Sequence, residues 1–211
     1  MGELGVPLCS DHYMLVIEDA DLENAAKKLR LAGFQDSSWS YGAVHPSFYT
    51  GKLKEGIYRG LVEGYSNLDQ NSIRFLFPPE QQTPSEFHIA VKVVLVPASY
   101  AHIDIKSLSN KATREKNLIH PDGAVLLLSF IQTALRAPAM SKWRYVLEMW
   151  AISYVYGELM LDDDTLDTCD DEEAKAWFNE HIRRFSGGID RVTCFKRLGR
   201  VGYDKSLGQE R

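Results

Sequence analysis

The chain has 211 residues, 45% hydrophobic and 25% charged, with a formal net charge of −5. That is enough for one sizeable core, or a core with a helical appendage, and the acidic balance gives no reason to expect a polyanionic partner, since nucleic-acid binders usually carry a basic stripe. Three cysteines, Cys9, Cys169 and Cys194, have no CxxC spacing, which argues against a disulfide framework or a zinc knuckle and for a reducing compartment.

The first residues contain no basic segment followed by an apolar run, and Val6 stands where a myristoylation signal needs Ser or Thr. The longest apolar run, Ala124 to Leu128, is too short to span a bilayer. The expectation is a cytoplasmic protein with a small-molecule partner and neither a nucleic-acid nor a membrane partner.

Asp11 to Ile17 reads as a strand, after which Asp19 caps a helix with Leu22, Ala25, Ala26 and Leu29 on one stripe and Gly33 at its end. Ser37 to Gly51 mixes turn formers with aromatics and has no period, so it reads as a loop that covers something. Strand-like pieces follow at Ile57 to Val62 and at Ser72 to Phe77, the second stopped by Pro78 and Pro79. The strongest strand is Phe87 to Val96, in which Phe87, Ile89, Val91, Val93 and Leu95 alternate onto one apolar face. His88 and Lys92 are expected to face away from that core. Pro97 ends the strand, and Tyr100 to Lys106 reads as a short neighbour.

Pro121 opens an apolar helix that Pro138 closes, and Ser141 caps a second helix from Lys142 to about Leu159 containing Trp143. A third begins near Glu172 with Trp177, Phe178, His181 and Phe185. The acids from Asp162 to Glu173 miss the central glycine of a calcium loop and read as a linker favouring that helix. Arg183, Arg184, Arg191, Lys196, Arg197 and Arg200 read as a solvated face and tail. The fold class is α+β, with an α+β half over residues 1–117 and a helical half over 118–211, packed as one structural unit.

This layout resembles the nucleotidyltransferase-fold proteins of filamentous fungi. Ser10 to Ile17 looks like that family's acid-x-acid strand, followed by the helix ending Ala32-Gly33-Phe34. Phe87-His88-Ile89 looks like its third-acid strand, and Trp143-Arg144-Tyr145 like its helical appendage. The resemblance implies a mixed sheet and a metal-triphosphate site built from a Gly-Ser turn, two acids on the first strand and a third on a neighbour. Asp11 matches the first acid, Tyr13 replaces the second, and no Gly-Ser pair precedes Asp11. The third-acid region offers His88 and Lys92, with Asp104 as the remaining candidate. One carboxylate beside a cation is a poor metal site, so no metal or cofactor is expected.

Alternation puts Asp11 with Tyr13 on one face, and His88 with Lys92 on another. If the two faces converge, Tyr13, His88 and Lys92 form a catalytic set able to polarise a carbonyl or move a proton. Asp11, Trp39, Tyr41, His45, Tyr49 and Trp143 would then hold an apolar substrate. With the fungal resemblance, this set implies a cofactor-free cyclase or isomerase of secondary metabolism, a Diels–Alder-type pericyclase being one form. The alternatives are a nucleotidyltransferase with a reduced metal site, in which Asp11 and Asp104 converge, and a non-catalytic small-molecule binding protein. The last is favoured if side chains fill the pocket expected between the first strand and the Phe87 strand.

Overall fold

Lys92, Val93, Val94, Leu95 and Val96 are all buried, so neither face of their strand meets water and it must be central. The computed structural model describes residues 12–44, 46–78, 92–108, 113–115, 118–158 and 161–183. This strand, β4 (Lys92–Pro97), runs parallel to β1 (His12–Ile17) and antiparallel to β3 (Ile73–Leu76), which pairs in turn with β2 (Gln35–Asp36). The result is a small mixed sheet of order β1-β4-β3-β2 in an α+β chain. Phe87 to Val91 lie outside the described residues.

One face of the sheet follows the expected alternation. Leu15, Ile17, Ile73, Phe75, Val93 and Leu95 pack with Leu22, Ala25, Ala26 and Leu29 of α1 (Leu22–Leu31), the stripe read from the sequence. Asp19 does not cap α1. It accepts hydrogen bonds from the Ser99 amide (3.0 Å) and hydroxyl, tying the end of β1 to α3 (Ala98–Ala101).

Two expected strands are absent. Ile57 to Val62 lies inside a long helix, α2 (Lys52–Gln70), that starts directly after Gly51 at φ 91°. The decisive period is Tyr58, Leu61, Tyr65 and Leu68 at helical spacing, whereas Ile57 and Val62 are exposed. Tyr100 to Lys106 is no strand either, because α3 takes its first residues and His102, at φ 54°, ends that turn. Asp104 then folds the chain back by accepting the Lys106 and Ser107 amides, so it is a turn residue and not a third acid on a strand.

The chain divides into two compact units. The sheet unit comprises Cys9–Ser107 and Ala137–Tyr145, and the other comprises Met1–Leu8, Leu108–Arg136 and Val146–Arg211. The Trp143 segment is grouped with the sheet. The second unit contains a short antiparallel pair, β5 (Thr113–Glu115) and β6 (Leu118–His120), that sequence patterning did not reveal. Its core joins Leu127 and Ile131 of α4 (Gly123–Arg136) to Trp177 and Phe178 of α6 (Glu172–Phe178) and to Ile182. Pro121 precedes α4 rather than taking its first position: Asp122 caps the helix through the Val125 amide (2.9 Å), and Asp171 caps α6 through the Ala174 amide (3.0 Å). The helix expected from Lys142 to Leu159 is α-helical only as α5 (Lys142–Met149) and continues with π geometry over Trp150–Glu158.

Candidate functional site

The second face of the sheet carries the chemistry. Lys92 pairs with His12 in the parallel register, and Arg74 with Val94 in the antiparallel one, so His12, Arg74 and Lys92 share a face. Tyr13 pairs with Val93 and therefore projects to the opposite, α1-bearing face, where it is 59% exposed with its ring 5.7 Å from that of Phe77. Tyr13 and Lys92 are thus not brought together. The convergence expected from the sequence fails on register: neighbours in a hydrogen-bonded pair share a face, and consecutive residues do not. Over the described residues β1 and β4 are directly paired, which leaves no room for a pocket between those stretches.

Lys92 does not face solvent either. It is 0% exposed, and its Nζ donates to the carbonyls of Ser40 (2.8 Å), Tyr41 (3.0 Å) and Ala43 (2.5 Å). An ammonium has three protons, and three acceptors meet it. Arg74 holds the same segment from β3, donating from Nε to the Trp39 carbonyl (2.9 Å) and from a terminal nitrogen to the Asp69 carbonyl (2.7 Å). The Asp69 carboxylate, 3.3 Å from the Arg74 guanidinium, accepts the Tyr41 amide at 2.9 Å. Two sheet cations and one helix acid therefore pin the segment Ser37–Val44 as a strap, whose far end is held by the Tyr49 hydroxyl accepting the Val44 amide.

The strap lays Tyr41 into an aromatic cluster. Its ring lies 5.1 Å from His12, 5.6 Å from Tyr65 and 5.6 Å from Trp143. Trp143 Nε1 donates to the Tyr100 hydroxyl (2.9 Å), which donates to Asn67 Oδ1 (2.6 Å). Gly42 passes so close to Tyr65 that an added Cβ would enter its ring, which is why the strap needs glycine here.

Burial governs the titration of this face. It lowers the Lys92 ammonium to about 8, with Arg74 adding to the effect and Asp69 opposing it. Burial pushes the Tyr100 phenol up to about 12 against the Trp143 hydrogen bond, and also raises Tyr41 and Tyr65. Near neutrality the face therefore presents neutral phenols around one charged lysine.

Of the residues expected to make a site, Trp39, Tyr41, Tyr49, Lys92 and Trp143 are gathered at or beside the strap, Tyr13 lies on the other face, and Asp104 is in an exposed turn. Asp11, His45 and His88 lie outside the described residues. Sequence reasoning missed His12, Asp69 and Arg74. The available signal for His12 was its alternation with Tyr13, but choosing between them requires the strand register. Among the described residues no group of three His, Cys, Asp or Glu side chains is placed to hold a metal ion, and no helix is long and apolar enough to cross a membrane. Comparison with protein-family models, with curated proteins and with solved structures gives no match to this chain.

Proposed function

We propose that this chain is a non-catalytic small-molecule binding protein on a nucleotidyltransferase-like scaffold, in which its own backbone occupies the face that would carry chemistry. The observation that supports this reading is the saturation of Lys92, whose three protons are spent on strap carbonyls and leave none for a substrate. Nucleotidyl transfer would also need oxygen ligands converging on a metal, and Asp104 is committed to its own turn. The expected outcome is no metal-dependent thermal shift with ATP, GTP, CTP or UTP and Mg²⁺, alongside saturable stabilisation by members of an uncharged, unsaturated small-molecule panel. Clear nucleotide-dependent stabilisation would favour the transferase reading instead.

A cofactor-free cyclase or isomerase is the second reading. It is favoured by the clustering of titration-shifted groups under one strap and by the buried Ser40 Oγ, which has no hydrogen-bond partner among the described residues. On that reading His12 takes the role that the sequence gave to Tyr13. Polyene or unsaturated-aldehyde substrates would be turned over by the wild type, and His12→Ala would lower the rate roughly a hundredfold when assayed well below the melting transition of both proteins, since losing the Tyr41 contact and the acceptor of the Lys92 amide also lowers stability.

A further inference from the structure

The Lys92 amide donates to His12 Nδ1 at 3.3 Å, so that ring nitrogen is without a proton, and the imidazole stands 5.1 Å from the Tyr41 ring of the strap. A proton there would turn an acceptor into a donor facing a donor. It would also add a third cation to the sheet face that His12 shares with Lys92 and Arg74. Among the described residues the carboxylate that meets those cations is Asp69, which already lies 3.3 Å from the Arg74 guanidinium. Both sheet anchors of the strap are therefore cations that a charged His12 would repel.

The neighbouring bases and phenols hold their charge state where an imidazole titrates, ordinarily at about 6.5. On β4 the Lys92 ammonium keeps its proton up to about 8. On β3 the Arg74 guanidinium is permanently charged. Burial keeps the phenols of Tyr41 in the strap, Tyr65 in α2 and Tyr100 in α3 protonated. Segment 137–145 brings Trp143, which does not titrate, and Lys142, whose stem lies against Gly64 of α2. Asp69 of α2 is the acid of the set, and it also accepts the Tyr41 amide at 2.9 Å.

We propose that His12 is the proton sensor of the strap: protonation at Nδ1 sets a third cation against Lys92 and Arg74, and Ser37–Val44 lifts so that the Lys92 ammonium reaches water. The strap yields because it has no regular structure, whereas the two cations are fixed on paired strands. The closed strap excludes the proton and the open one admits it, so falling pH favours opening, by at most about tenfold per pH unit for one proton. Opening frees the carbonyls of Ser40, Tyr41 and Ala43 from Lys92 and uncovers the Ser40 hydroxyl. The latch is a property of the strap and does not depend on the small-molecule reading.

Hydrogen exchange of the full chain, read by NMR as protection factors so that the intrinsic pH dependence cancels, tests this against an internal reference. From about pH 7 to about pH 5, protection of the Tyr41, Ala43 and Val44 amides should fall roughly tenfold or more, while that of Val94 and Leu95 in β4 stays within about twofold. The midpoint should coincide with the titration of the His12 ring, followed in the wild type by its own chemical shifts. His12→Asn, whose amide oxygen can sit where Nδ1 sits and takes no proton, should abolish the fall. Asp69→Asn should keep it, with a midpoint that still tracks the His12 ring. A fall that survives His12→Asn, one that is lost in Asp69→Asn, or a midpoint away from the His12 titration overturns the inference. So does strap protection that holds or rises in acid, which would mean that the Tyr41 ring stabilises the imidazolium.

Discussion

The two faces of β4 are equally dry and chemically unlike. On the α1 face Val93 and Leu95 meet Phe75, Leu15 and Ala26, and burial of apolar area is the whole of the interaction. On the strap face Lys92 meets three carbonyls, and the neighbouring Arg74, Asp69 and Tyr41 are likewise joined by directed hydrogen bonds. An apolar face tolerates a range of shapes at similar volume, whereas a polar one requires every donor to find its acceptor. The strap's conformation is therefore specified more sharply than the packing of α1, although it contains no regular structure of its own.

Substitutions at matched depth should separate the two. Phe75→Ala, which opens a cavity in the apolar cluster, should cost roughly 3–5 kcal/mol in chemical denaturation. Lys92→Ala should come next at roughly 2–4 kcal/mol: three buried carbonyls lose their donor, and the return of a buried charge to neutrality offsets part of that loss. Lys92→Ala should also increase proteolytic cleavage within Ser37–Val44, which Phe75→Ala at equal global stability should not. A near-neutral Lys92→Ala would mean that the strap holds itself and that the comparison is mistaken. Gly42→Ala should cost about 2 kcal/mol through the clash with Tyr65, and Tyr65→Ala should rescue part of it.

The apolar face was readable because its physics is local. Alternation in β1 and β4 and the Leu22, Ala25, Ala26, Leu29 stripe each point inward without knowledge of a partner. The strap face was not, because Lys92 is satisfied by carbonyls some fifty residues earlier in the chain, and a carbonyl leaves no mark on residue type. Lysine in an alternating strand then reads as a wet position. Convergence of Tyr13 with Lys92 required a register, and a strand's sequence specifies its faces but not which residue its neighbour sets alongside. In α2, β-branched Ile57 and Val62 with Gly60 between them imitated a strand, and the helix is recovered only when the period is followed through Leu68.

The smallest expected difference between the faces is in their response to alkali, and its sign is fixed by linkage. Lys92 releases its proton near pH 8 in the folded chain, against an ordinary value of 10.5. Below about 8 both states hold the proton and Lys92 adds no slope. Between about 8 and 10.5 the unfolded state binds the extra proton, so the Lys92 contribution makes stability rise with pH. The phenols act in the opposite sense. Tyr41, Tyr65 and Tyr100 are raised above 10.0 on folding, so above that pH the unfolded chain ionises first and stability falls. The strap face should therefore gain stability from about pH 8 to about 10 and lose it at higher pH, the Lys92 part being visible as a rise between about pH 8 and 10.5 in the wild-type profile minus that of Lys92→Met. Val93→Ala, on the other face, should lower the whole profile without changing its shape. If the Lys92→Met and Val93→Ala profiles run parallel through that window, Lys92 keeps its proton when buried, and the carbonyl dipoles rather than desolvation control its charge.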